Sequence, residues 1–246
     1  MLSPERRRNW ALVTSLGVAI GVVVIVYPYA LEGAVTRFGV RTVAAALCAL
    51  AVAGLLAPRG SLASLSRTGT APTLLFPALL GLAAVTGSRT WLLLVPALVY
   101  VTLAAVFAAS LRAGDSLIER GARFLAPDVP DFIRPYCRKV TAVWVAFFLA
   151  SAVAIGALAV ADAPGWWRAY SGGVVYGLMI AISVAEFFVR KTWFRYYFHG
   201  GPFDRLWSRL FPAEKTAAGR RSMYYIERFR AEAAARRGGA TPGGSG

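Results

Sequence analysis

The chain has 246 residues, 57% of them hydrophobic and only 16% charged, yet 27 Lys and Arg against 12 Asp and Glu leave a net charge of +15. A soluble domain carries about a quarter charged residues and a disordered chain is poor in hydrophobic ones, so the composition argues against an ordinary soluble domain and against disorder. The composition fits a membrane protein with basic loops or a basic binder of nucleic acid, and the placement of the charges separates the two.

From Trp10 to Leu31 no residue is charged, which meets the roughly 20 apolar residues that a bilayer-spanning helix needs. This run is longer than the apolar core of a signal peptide and no small-x-small cleavage pattern comes after it, so it reads as a retained helix. In chain order the apolar runs are Asn9–Leu31, Val40–Ala57, Pro72–Thr86, Thr90–Ser110, Val140–Ala161 and Tyr170–Val189. The expected fold is an all-α integral membrane protein, a bundle of about six transmembrane helices with cytoplasmic amphipathic helices. Pro72–Thr86 is short enough for a buried or re-entrant segment to compete with a full span, so five spans or a re-entrant third segment is the alternative. Residues 1–189 form the transmembrane domain, residues 190–238 a basic amphipathic tail, and residues 239–246 a disordered terminus.

Charge checks the count independently. With the N-terminus in the cytoplasm, segments 1–8, 58–71, 111–139 and 190–246 hold 23 of the 27 basic residues. Only Arg37, Arg41, Arg89 and Arg168 fall on the other side. That asymmetry is the positive-inside rule, and it favours an even count with both termini cytoplasmic, in a bacterial inner membrane. No recognition motif accompanies the charge, so nucleic acid is not an expected partner; anionic lipid headgroups are. Cys48 and Cys137 fall at different depths and neither neighbours a His, so neither a disulfide nor a metal site is expected. No cofactor motif is present.

The loop at residues 111–139 contains Ser116-Leu117-Ile118-Glu119, which fits a capping box. Leu117, Ile118, Gly121, Phe124 and Leu125 then share one helical face, with Glu119, Arg120 and Arg123 on the other. Pro127, Pro130 and Pro135 are expected to break the rest of this loop into turns or a very short helix. The charged face, with Arg134, is a candidate surface for an acidic partner. In the tail, Pro202 opens and Pro212 closes a segment in which Phe203, Leu206, Trp207, Leu210 and Phe211 recur at helical spacing. Arg205 and Arg209 occupy its polar face. This reads as an in-plane membrane-surface helix. A last helical stretch, Arg220–Arg237, is basic and alanine-rich.

Candidate catalytic groups are few. His199 is the only histidine, and its ordinary pKa would suit a general base. Glu186 lies in the last span, four residues before Arg190, where an i,i+4 pair would lower the cost of burying a carboxylate. Glu32 and Asp162 close spans and are expected to reach water. Mid-span hydroxyls that a transport path could use are Thr14, Ser15, Ser151, Ser171, Tyr176 and Ser183.

Two blocks carry a resemblance. One is Ser116-Leu117-Ile118-Glu119-Arg120, Pro127-Asp128-Val129-Pro130, and Tyr136-Cys137-Arg138-Lys139-Val140-Thr141 with Trp144, Phe147 and Phe148. The other is Trp167, Tyr170-Ser171-Gly172, Tyr176, Met179 and Glu186 through Lys191. Over Val95–Arg190 the chain resembles an uncharacterised bacterial inner-membrane family encoded beside genes for aryl polyene pigments of the xanthomonadin and flexirubin type. It departs where that family carries an Asn-Gly pair, since Ser151 and Ala152 stand there. The resemblance implies a pathway setting, with an acyl carrier protein or soluble synthases as partners, and supplies no mechanism. Three functions are open: a non-catalytic accessory or scaffold, a transporter or flippase for the hydrophobic product, and an acyl or aryl transferase using His199 and Glu186.

Overall fold

The computed structural model describes residues 26–56, 70–125 and 133–193 together with 206, 209–212, 215, 217, 219–221, 223–224, 227–228 and 231–232 of the tail. All regular structure among them is helical. The elements are α1 (26–38), α2 (Val40–Leu56), α3 (Thr70–Thr86), α4 (Arg89–Leu93), α5 (Val95–Arg112), α6 (Leu117–Leu125), α7 (Arg134–Val160), α8 (Pro164–Ala169), a π-helical turn (Tyr170–Val174) and α9 (Val175–Trp193).

Among the described residues three helical stretches are long and apolar enough to cross a membrane: Arg89–Arg112, Arg134–Val160 and Pro164–Arg190. Only 28, 33 and 11% of their apolar windows are buried within the protein. Helices α2 and α3 are equally apolar but span 17 residues each, or about 25 Å at 1.5 Å per residue, against a hydrocarbon core of about 30 Å.

Several boundaries differ from the sequence reading for local reasons. Helix α1 continues past Leu31 to residue 38 and stops at Gly39, whose φ of +79° is a left-handed conformation open to glycine. Helix α7 begins at Arg134 rather than Val140. Pro135, expected to break the chain, stands instead at the second helical position, where its missing N–H would have had no partner anyway. The last helix starts at Pro164, six residues before the expected Tyr170, for the same reason.

Two compact units divide the chain: residues 1–117 with 141–178, and residues 118–140 with 179–246. In the first, α2 and α3 pack as a hairpin, with Cys48 Sγ donating to the Pro77 carbonyl at 3.4 Å. Gly87 ends α3 at φ +70°, a left-handed conformation that favours glycine, and a Cβ there would lie 3.0 Å from Arg41 Nε, so that side chain would have to shift. The buried stripe of α7 runs through Thr141, Phe148, Ser151, Ala152, Ile155 and Ala159. Phe148 meets Phe107 edge-on at 5.1 Å and Tyr100 at 6.1 Å between centroids. Ser110 Oγ donates to the Phe107 carbonyl and accepts the Leu117 N–H at 3.0 Å, fastening the start of α6. In the second unit, Ile133 and Cys137 are buried with Ile118, Ala122 and Tyr136 packed against them.

Candidate functional site

Among the described residues four carboxylates are met by arginine: Glu232 of the tail, exposed and paired with Arg228 at 3.1 Å, and three that are more enclosed, Glu32, Glu119 and Glu186. In the first unit Glu32 of α1 accepts from Arg89 Nη2 at 3.2 Å and pairs with Arg168 Nη1 at 2.5 Å. Glu32 was expected to reach water at a helix end. Because α1 continues through it, its side chain is turned into a clamp and is only 25% exposed. Asp162, at the turn before α8, is exposed as expected. Two of the four arginines assigned to the non-cytoplasmic side thus share one internal counter-charge.

Around this clamp the indole Nε1 of Trp167 donates to the Leu93 carbonyl at 3.0 Å. Leu93 lies where α4 gives way to α5, three residues before Pro96, whose missing N–H weakens the ladder. Ser171 Oγ donates to the Trp167 carbonyl, supporting the backbone where the π turn widens it. A Cβ on Gly172 would lie 3.0 Å from the Tyr29 ring, so α1 approaches the π turn at a distance that glycine permits.

In the second unit Glu119 is the surprise. Helical spacing assigned it to an outward charged face with Arg120 and Arg123. It is fully buried, its Oε1 accepting from Arg123 Nε and Nη2 at 3.3 and 3.1 Å, with Arg134 Nε at 3.7 Å from Oε2. Ile118 and Ala122, on either side of it, pack against Ile133 and Cys137, so the buried arc of α6 is rotated onto Glu119. The physical reason is that two arginines can follow the carboxylate inward while keeping exposed flanks, 36% for Arg123 and 47% for Arg134. Glu119 therefore cannot serve as partner-contacting surface, and Arg123 and Arg134 are committed to it. Arg120, Arg138 and Lys139 are exposed.

Glu186 pairs with Arg190 at 3.3 Å, the i,i+4 contact its spacing implied, and accepts from Tyr136 Oη at 3.0 Å. The tyrosine contact, fifty positions away in sequence, had no signal in spacing. The other catalytic candidate, His199, lies outside the described residues, as do Phe203, Arg205 and Trp207. Leu206, Arg209 and Leu210 are helical, and these three and Phe211 are exposed.

Among the described residues no group of three His, Cys, Asp or Glu is placed to hold a metal ion. Two buried hydroxyl oxygens among them, Ser151 Oγ and Tyr27 Oη, have no hydrogen-bond partner. Tyr176 is half-buried in α9, while Ser183 lines an open apolar notch with Met179 and Phe187. Thr14 and Ser15 lie outside the described residues. No protein family, curated protein or solved structure matches the chain.

Proposed function

We propose that the chain is a polytopic protein of a bacterial inner membrane, with six spans and both termini cytoplasmic, acting as a non-catalytic accessory or scaffold of a pathway that makes a lipid-like product. The membrane reading is carried by one observation: the three long apolar helices leave most of their residues unburied, which is stable only against hydrocarbon. The split of basic residues supports the six-span count and the orientation. The pathway rests on the resemblance to the aryl polyene-associated family.

A non-catalytic role is supported by the fate of the acids. Glu32, Glu119 and Glu186 are all engaged by arginine, and a carboxylate held this way is poorly placed to exchange protons with a substrate. The partner surface, in turn, is basic. Arg120, Arg138 and Lys139 would meet an acidic acyl carrier protein or soluble synthase, while Leu206, Arg209, Leu210 and Phe211 rest on anionic headgroups. Pull-down with the intact protein tests this. Recovery of soluble pathway enzymes by the wild type and loss by the Arg120→Glu, Arg138→Glu, Lys139→Glu variant is expected, and equal recovery by both overturns it.

A transporter has one observation in its favour. Ser151 Oγ is buried in the middle of α7 without a partner, as a polar group in a transit path would be. Retention of product inside cells carrying Ser151→Ala would favour that reading, and unchanged export would remove it.

A further inference from the structure

We propose that Glu32 is a latch that holds two jointed helix caps, α4 and α8, closed over one end of the first unit. Each cap is short, five residues for α4 and six for α8, and forms the first turns of a longer helical stretch, Arg89–Arg112 or Pro164–Arg190. Each is joined to a long helix through a weakened ladder. Between α4 and α5 the backbone bonds Leu94 N–H to the Thr90 carbonyl and Leu98 N–H to the Leu94 carbonyl are kept, each at 3.0 Å, and the ladder lacks only the bond that Pro96 cannot donate. Between α8 and α9 stands the π turn with Gly172 and Gly173 in it, and π turns and prolines are where helices bend.

What holds the caps in line is a set of contacts between them and α1. Arg89 on one cap and Arg168 on the other meet opposite oxygens of the Glu32 carboxylate, at 3.2 and 2.5 Å. Trp167 on one cap donates to Leu93 of the other. Beneath them Pro28, Leu31, Leu92 and Trp167 help enclose a cavity of about 10 Å³, roughly the room of one water. One carboxylate serves two arginines. Removing its charge therefore loosens both caps and leaves two like charges facing each other across the space it occupied, so repulsion drives the caps apart at their joints. A rigid clamp would need no joints; two joints sharing one counter-charge make a device with a closed and an open state.

Hydrogen–deuterium exchange on the full chain in lipid nanodiscs tests this. In Glu32→Gln, amides of residues 89–94 and 164–174 are expected to exchange roughly tenfold faster, while residues 95–112 and 141–160 keep wild-type rates, the pattern of local opening. The swap Glu32→Arg with Arg168→Glu is expected to restore slow exchange at 164–174. Where Glu32→Gln does not fold, Arg168→Gln carries the test, with acceleration confined to residues 164–174. Acceleration spread evenly over the unit overturns the latch, because Glu32 would then be general packing. Unchanged rates overturn it too, because the Trp167 bond alone would hold the caps.

Discussion

Glu119 illustrates how a single side chain can invert a helical wheel. Its ion pairs are asymmetric: the carboxylate is fully buried, whereas Arg123 and Arg134 keep about a third and a half of their side chains exposed (36% and 47%). Taking away Arg123 removes both hydrogen bonds to Oε1 and leaves a buried carboxylate on the longer Arg134 contact; taking away the carboxylate lets two arginines turn to water. Arg123→Ala is therefore expected to cost about 2 kcal/mol, less than the roughly 3–5 kcal/mol of an uncompensated buried charge, and Glu119→Leu distinctly less, read from denaturant unfolding in micelles. Equal losses would mean that the arginines are as trapped as the acid. Ser151 makes the opposite case. A buried hydroxyl with no partner carries a desolvation cost, so Ser151→Ala is expected to leave stability unchanged or raise it by up to about 1 kcal/mol. A loss of more than that would place an unseen partner on Oγ.

At the level of elements, the π turn is the feature most sensitive to a single methyl group. Gly172→Ala would push a Cβ to 3.0 Å from the Tyr29 ring. That ring is 54% exposed and can give way, so the expected loss is about 1 kcal/mol, the low end of overpacking, measured as a lower thermal midpoint in micelles. Gly173→Ala, with open space at its Cβ, is the control and should cost less. From Val40 onward the apolar runs were legible in the sequence because they are nearly charge-free, and several boundaries failed where a charge or proline suggested an end. Arg134, Pro135, Pro164 and Glu32 are all helical: proline is tolerated in a first turn, and a charge inside a helix needs only a counter-charge. Those counter-charges come from residues distant in sequence, fifty-seven positions for Glu32 and Arg89, so no local pattern could announce them. The Glu186–Arg190 pair was visible because it lies one turn apart. The inward rotation of α6 was not, since a wheel drawn from hydrophobicity cannot know that Arg123 and Arg134 will accompany Glu119.

For the whole molecule, the decisive property is sidedness, because scaffold, transporter and enzyme all depend on which segments face the cytoplasm. In the proposed topology residues 111–139 and 190–246 lie there, and the α1–α2 link and the turn at Asp162 lie on the opposite side. Arg37, Arg120, Asp162 and Lys215 are exposed, which makes them suitable reporters. The two native thiols would complicate labelling only slightly, since Cys137 is 3% exposed and Cys48 is half-buried against Pro77. A background with both changed to Ala removes them. Single cysteines at positions 37 and 162 are expected to react with a membrane-impermeant maleimide in intact spheroplasts, and those at 120 and 215 only in inside-out vesicles. The short helices α2 and α3 decide the outcome. If only one of them crosses, positions 37 and 162 fall on opposite sides, and labelling at 37 and 215 from the same side would replace six spans with an odd count; if both turn back, the count is four and the reporters keep their sides. The basic surface of Arg120, Arg138 and Lys139 would still have to be cytoplasmic for a carrier protein to reach it, so reaction at position 120 in intact spheroplasts would end the scaffold reading whatever the count.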